Sequence, residues 1–398
     1  MTFSQSRTRH RSMWAALAVV LVLPACSAGS GDAKTPGRTA SPSPSLQLSL
    51  SPKAGATRVA PASRVTLAAA HGTLAAVAVV ASSGDAVTGR LAAGGTRWQS
   101  RGKLAFGVRY TVTATTPDGR KVSAGSFRTA ARPDLAHSVY TSSVLGDHKT
   151  YGVGMPIILR VGRAMESDAA RSAFERTLSV RSRPATAGAW GWVNSREVHF
   201  RPRNFWAAGS KVHVSVDSAG RALGGGRWGR TDLTVDFSIG ARREMRADGA
   251  THTVTVIENG KTVRTMPASL GKPSFPSSSG VMVIMDKRAK ALFDSSTYGL
   301  PVDSPSGYRI SVPYATRISP DGIYLHEREA TVWAQGNTNV SAGCLNLSAE
   351  NARWFYEFSQ PGDVVEIRNT AGQPLELWQN GDWSVPWQEW LQGSALRA

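Results

Sequence analysis

The 398-residue chain carries 46 Lys and Arg against 28 Asp and Glu, a formal net charge of +18, with 41 % hydrophobic and 19 % charged residues. That length is too great for one compact core and predicts two to four domains, and the hydrophobic share is that of a folded chain rather than a disordered one. The excess positive charge suits an anionic membrane or wall polymer, or simply a solvated basic surface. Nucleic acid fits poorly, because the basic residues are scattered, with no basic helix and no aromatic RNA-binding strand.

At the N-terminus, Arg7, Arg9 and Arg11 precede an apolar stretch from Met13 to Leu23, too short for a permanent membrane span. It ends in Leu23, Pro24, Ala25 and Cys26, which resembles a bacterial lipobox. Residues 1–26 are therefore expected to be a lipoprotein signal, with Cys26 lipidated and anchoring the protein to the outer face of the cytoplasmic membrane. A plain signal peptide with an incidental cysteine stays open. Residues 27–47 are rich in Ser, Pro, Gly and Ala and read as a tether spanning roughly 25 Å.

Residues 48–131 show short alternating runs, including Leu74 to Val80, Leu104 to Val112 and Val122 to Phe127, with Pro117 to Arg120 as a hairpin turn. Residues 132–241 repeat the style, with strands around Trp190 to Trp192, Glu197 to Arg201 and Val212 to Val216, and one helix within Glu166 to Leu178. Both segments read as immunoglobulin-like β-sandwiches. Trp190, Trp192 and Trp206 are expected to pack in a core rather than bind sugar, and His199 and His213 to pack rather than ligate.

The pattern changes at residue 242. Thr251 to Ile257 and Thr262 to Met266 flank an Asn259-Gly260 turn and predict a hairpin. Val281 to Met285 and Val364 to Ile367 predict strands, and Ala349 to Phe358 a short helix. Residues 242–371 thus form a third, β-rich domain. The 372–398 tail carries Trp378, Trp383, Trp387 and Trp390 and must dock on a neighbour, expected to be the third domain.

Within this domain a strand, Ile323 to Leu325, delivers His326, and Ser341, Ala342, Gly343 and Cys344 follow after fourteen intervening residues. A thiol becomes a strong nucleophile when a base removes its proton, and an imidazole does this near neutral pH. A glycine beside the sulfur lets the backbone approach substrate and turn its amides toward an oxyanion. Cys344 is the sole cysteine besides Cys26, and an unpaired thiol in an exported protein calls for a role. An inert buried cysteine stays open from the count alone. His252 is the other histidine of this domain, but only His326 is near Cys344 in sequence.

The segment resembles the catalytic motif of L,D-transpeptidases, the YkuD-type domain: His, about fourteen to seventeen residues, then Ser/Thr-His-Gly-Cys-hydrophobic-Asn. Phe293 to Gly299, Pro301 to Tyr308, Ala334 to Gly336, Asn339, Trp354 to Tyr356, Gly381 to Trp383 and Pro386-Trp387 resemble actinobacterial members. The resemblance implies a two-step reaction that forms 3→3 crosslinks in peptidoglycan. Cys344 would attack the carbonyl of the third residue of a donor tetrapeptide stem, and His326 would take and return the proton. Tyr308, Gly343 and Cys344 would form the oxyanion hole, and Tyr308, Ser341 and Asn346 would brace the loop and contact substrate. Carbapenem β-lactams would acylate the cysteine, and neither metal nor cofactor is needed.

Three residues depart from the family pattern. Ala342 stands for the motif's second histidine, Glu327 for the Ser or Thr after the base, and Glu329-Ala330 for a Pro-Trp pair, with Trp333 displaced. Glu327 is expected to pair with the imidazolium and raise the pKa of His326. These departures keep open a catalytically impaired, wall-binding lipoprotein as the alternative.

Overall fold

The computed structural model describes residues 45–397 apart from Ser306. The 1–26 signal, Cys26 and most of the tether lie outside the described residues. Within them no helix is long and apolar enough to cross a membrane.

The architecture is mainly β: two immunoglobulin-like sandwiches followed by a β-rich domain. In the first sandwich, Gln47–Ser51, Thr66–Ala70, Arg97–Ser100 and Gly89–Leu91 form one sheet, and Ala76–Ala81, Arg109–Thr115 and Lys121–Arg128 the other. The alternation explains the packing, since Leu67 pairs with Trp98 across the first sheet and both point into the core with Val79, Val112 and Phe127. Gln47, read as the end of the tether, already pairs with Ala70. Leu104 lies before its strand, which starts at Arg109.

The second sandwich packs a sheet of Lys149–Tyr151, Leu233–Ile239, Lys211–Val216 and Leu178–Arg183 against one of Gly188–Asn194, Glu197–Pro202, Ile157–Val161 and Thr141–Ser143. The helix Asp168–Glu175 is started by the Ser167 hydroxyl, which accepts from the Ala170 N–H at 3.2 Å. Trp190, Trp192 and Trp206 are buried in this core, as the alternation implied. His199 does more than pack: it is buried with Nε2 2.9 Å from Glu197 Oε1 and Nδ1 2.7 Å from Asp382 Oδ1.

The two sandwiches meet through Lys103, whose Nζ lies 2.6 Å from Asp217 and 2.8 Å from Asp232. The second sandwich meets the third domain through backbone, Gly154 N–H donating to the Gly362 carbonyl and Gly152 N–H to that of Pro361. Only glycine fits there, since a Cβ at Gly152 would stand 2.1 Å from the Asp363 nitrogen.

In the third domain, Arg243–Asp248 lies between Thr253–Glu258 and the parallel Val364–Arg368, with Lys261–Pro267 and Gly280–Val283 at the edges. Asn259 and Gly260, both at positive φ, close the expected hairpin. A second sheet orders Asp286–Asp294, Arg309–Arg317, Tyr324–Glu327 and Leu345–Leu347. The helix Ala349–Phe358, capped by Ser348, buries Phe355 among Met245, Leu325, Leu347 and Ile367.

The C-terminal tail corrects the sequence reading. It does contact the third domain, through Asn380 Nδ2 on the Val283 and Ile318 carbonyls. Three of its tryptophans, however, dock on the second sandwich: Trp390 Nε1 donates to Ala189 O at 3.0 Å, Trp383 Nε1 to Gly154 O at 2.7 Å, the Trp383 ring meets Phe205, and Trp387 lies under Arg201. Trp378 stays exposed with its Nε1 on Glu376, against the expectation that its ring would be covered. Arg201 lies over the rings of Trp383, Trp387 and Trp390 and donates to the Asp382 carbonyl. The indole and guanidinium pairings that hide these three rings come from strands far upstream.

Candidate active site

Tyr324–Glu327 runs parallel to Leu345–Leu347, pairing Leu325 with Leu345 and His326 with Asn346. Cys344, one residue ahead of its strand, and His326 therefore open on one cavity of about 340 Å³, whose wall also includes Tyr308, Ser341, Ala342 and Asn346. His252 is elsewhere, its Nδ1 2.9 Å from Asn339 Oδ1. Asn339 in turn accepts from the Leu270 N–H and donates to the Gly249 carbonyl, anchoring the loop that leads to the cysteine.

His326 is buried, with the ring of Phe293 edge-on at 4.9 Å. Its Nδ1 lies 2.7 Å from the Glu327 carbonyl oxygen. A carbonyl can only accept, so Nδ1 carries the proton and Nε2 is left as the basic nitrogen. Burial pushes the imidazole pKa down to about 4, and the Arg328 charge acts in the same direction against the Glu327 hydrogen bond. The expected ion pair with Glu327 is therefore corrected. Its carbonyl rather than its carboxylate meets the ring, and the pKa moves down. The Glu327 carboxyl is itself held above the ordinary range by burial, then by Glu329.

Burial also pushes the Cys344 thiol up to about 11, against a hydrogen bond from the Tyr324 backbone. The sulfur lies 3.5 Å from the Gly322 carbonyl oxygen. Among the described residues no hydrogen bond joins it to His326. Burial thus favours a neutral thiol beside a neutral imidazole over a thiolate–imidazolium pair. Such contacts often tighten only once substrate is bound.

Ser341 shapes the loop: its hydroxyl donates to the Cys344 carbonyl at 2.6 Å and accepts from the Gly343 N–H at 3.1 Å. Gly343, at φ +112°, makes this turn possible, and the Ser277 hydroxyl donates to its carbonyl at 2.7 Å. Two of the expected oxyanion donors are consequently engaged. The Gly343 N–H is turned back on Ser341, and the Tyr308 N–H donates to Ser295 Oγ at 2.9 Å. Of the three expected amides, that of Cys344 alone has no acceptor among the described residues. Asn346 is buried and donates to Thr331 Oγ1 at 3.2 Å, so it ties the cysteine strand to the loop after His326.

Comparison with known proteins bears on this geometry. A family model described as the L,D-transpeptidase catalytic domain matches residues 242–367, and one described as a bacterial Ig domain matches 56–222. L,D-transpeptidase 2 of Mycobacterium tuberculosis is 38 % identical over 98 % of this chain and 97 % of its own. The chain belongs to the L,D-transpeptidase family. Its chemistry is accordingly acyl transfer. L,D-transpeptidase 5 of the same organism is 29 % identical over 89 % of this chain and 78 % of its own. Among solved structures, the L,D-transpeptidase LdtMt1 in complex with imipenem superposes with a TM-score of 0.51 at 33 % identity, covering 57 % of this chain and 97 % of that one. L,D-transpeptidase 3 of M. tuberculosis with a faropenem-derived adduct gives 0.50 at 34 %, over 57 % and 97 %.

This L,D-transpeptidase cavity also holds residues that sequence reasoning missed. Lys272 and Arg328 bring two cations to its wall, and Phe293, Ile310 and Val340 apolar surface. Arg328 follows the expected base by two positions, which was a usable signal. Lys272 was not legible, because Lys272 N–H bonding to the Ser341 carbonyl joins segments some seventy residues apart. Of the departures, Ala342 is exposed at the cavity wall, Glu329 accepts from the Ala349 N–H through Oε1, and Trp333 is largely exposed.

Proposed function

We propose that this L,D-transpeptidase forms 3→3 crosslinks in peptidoglycan with Cys344 as nucleophile and His326 Nε2 as base. The observation that carries the reading is the shared cavity of the two side chains with the His326 tautomer fixed by the Glu327 carbonyl. The sulfur attacks the carbonyl carbon of the third residue of a donor tetrapeptide stem while its proton passes to Nε2. The tetrahedral oxyanion faces the Cys344 N–H. Its collapse breaks the amide bond, Nε2 protonates the leaving D-alanine amine, and a thioester remains. The acceptor's side-chain amine then attacks the thioester, gives a proton to Nε2, and releases the thiol.

Lys272 and Arg328, in the wall of the cavity, suit the carboxylates of a stem peptide or the carboxylate of a carbapenem. Ser341 and Asn346 hold the loop rather than perform chemistry. Export, lipidation at Cys26 and anchoring to the outer face of the membrane complete the reading, with the sandwiches carrying the site outward. Ala342 does not favour the impaired alternative, since the strand register that joins His326 to the cysteine segment is independent of its side chain.

Mass measurement after incubation with a carbapenem tests the assignment. The expected result is one adduct per chain, absent in Cys344→Ala; an adduct that survives that substitution contradicts it.

A further inference from the structure

The first sandwich is the most one-sided part of the charge distribution. Residues 48–131 hold eleven Lys and Arg against Asp85 and Asp118. Asp118 is tied to Thr116 and Arg120, and Asp85 accepts from Ser83. Four of the arginines, Arg64, Arg90, Arg97 and Arg101, line one cavity of about 620 Å³ on the outer face of the sheet.

The strand register explains the clustering. Arg90 pairs with Gln99, and Arg97 lies two residues before Gln99, so all three project from the face opposite the buried Trp98. Arg64 is held at the edge by its Nη1 donating to the Ser100 carbonyl at 3.0 Å. Among the described residues none of the four guanidiniums lies within ion-pair distance of a carboxylate, whereas Lys103 nearby is paired with Asp217 and Asp232. Four like charges collected without counter-charges repel one another, and an anion that bridges them relieves that repulsion. A guanidinium fork matches the paired oxygens of a phosphate.

We propose that this cavity binds a phosphodiester polymer that carries neither bases nor acyl chains, a polyol-phosphate chain. Two observations choose this partner over others. In residues 48–131 the only large apolar side chain among the exposed ones is Val80, so the surface offers no wedge for a bilayer. It offers no exposed aromatic ring to stack on a nucleobase either. The floor between the arginines, with Ala92, Ala93, Gln99 and Ser100, is built of small or uncharged side chains and admits a thin chain. Binding there would hold the enzyme against an anionic polymer at a site separate from the cysteine cavity.

Fluorescence anisotropy of a labelled poly(glycerol phosphate) chain with the purified full-length protein tests this. The expected result is saturable binding that weakens as salt is raised and falls about tenfold or more in an Arg90→Gln/Arg97→Gln double variant, as for the loss of two charge-assisted contacts. A control variant, Arg120→Gln/Lys121→Gln, removes the same charge and should bind as the parent does. Equal weakening in both variants overturns the site. Equal affinity for hyaluronate or single-stranded DNA overturns the phosphodiester assignment, and binding of phosphatidylglycerol vesicles in place of the polymer assigns the surface to a membrane instead. Carbapenem acylation stays at the parent rate in the double variant.

Discussion

The Nδ1 of His326 donates to the Glu327 carbonyl at 2.7 Å, a contact between consecutive residues that decides which ring nitrogen can accept a proton. Burial holds this imidazole near pKa 4 and the Cys344 thiol near 11, so both are neutral across the physiological range.

A pH prediction follows from those values. Below about 4 the base is protonated and attack stops; between about 5 and 9 neither group changes state. The second-order rate of carbapenem acylation should be flat over that interval and fall on the acid side. A rise through a midpoint between 6 and 8 would instead reveal a thiolate–imidazolium pair.

Replacing the base separates it from its neighbours. His326→Gln should lower acylation by about two to four orders of magnitude, the usual contribution of a general base. His252→Gln, which disturbs the Asn339 anchor, should cost far less. Stopped-flow acylation of both variants checks the ranking, and equal losses would argue against His326 as base.

Ser341 holds both the Cys344 carbonyl and the Gly343 N–H. Ser341→Ala frees that amide but releases the loop, and acylation is expected to fall about tenfold or more, within the range found for a single donor near an oxyanion. Ala342→His adds an imidazole at an exposed position and should change the rate without creating a reaction the parent lacks. An adduct formed only by the Ala342→His variant would favour the impaired reading.

The tail can be tested by pH as well. Burial disfavours charge on His199, but Asp382 and Glu197 more than offset it and raise the pKa to about 9. This folded value lies above the ordinary 6.5, so the contribution to stability is full below about 6.5 and is lost as pH rises through 9. Denaturant unfolding should show that loss in the parent protein and a smaller one in Asp382→Asn, where the Glu197 contact alone remains. That variant should be less stable at pH 6, by about 3–5 kcal/mol if the buried pair behaves as such pairs do when one partner is removed.

Much of this was legible because it is local. The Ala349–Phe358 helix reads from its own residues, with Ser348 then found as its cap, and Asn259-Gly260 between alternating runs gives a hairpin. The spacing of His326 and Cys344 became a shared cavity because short parallel strands put them in register. What sequence could not supply depends on partners distant along the chain. His199 reads as one more alternating strand residue, and its role comes from Asp382, 183 residues on. The tryptophans of the tail read as rings to be covered, but that Arg201 and Phe205 cover Trp383, Trp387 and Trp390 while Trp378 stays exposed emerges only from the fold. The Gly343 amide shows a finer limit, since glycine permits the turn while Ser341 decides where the N–H points.

The most direct test of the central claim is mass analysis of products formed from tetrapeptide stems by the purified protein and by Cys344→Ala. The account predicts 3→3 crosslinked dimers with release of D-alanine from the parent protein and none from the variant. Dimers formed equally well without the Cys344 thiol would contradict it.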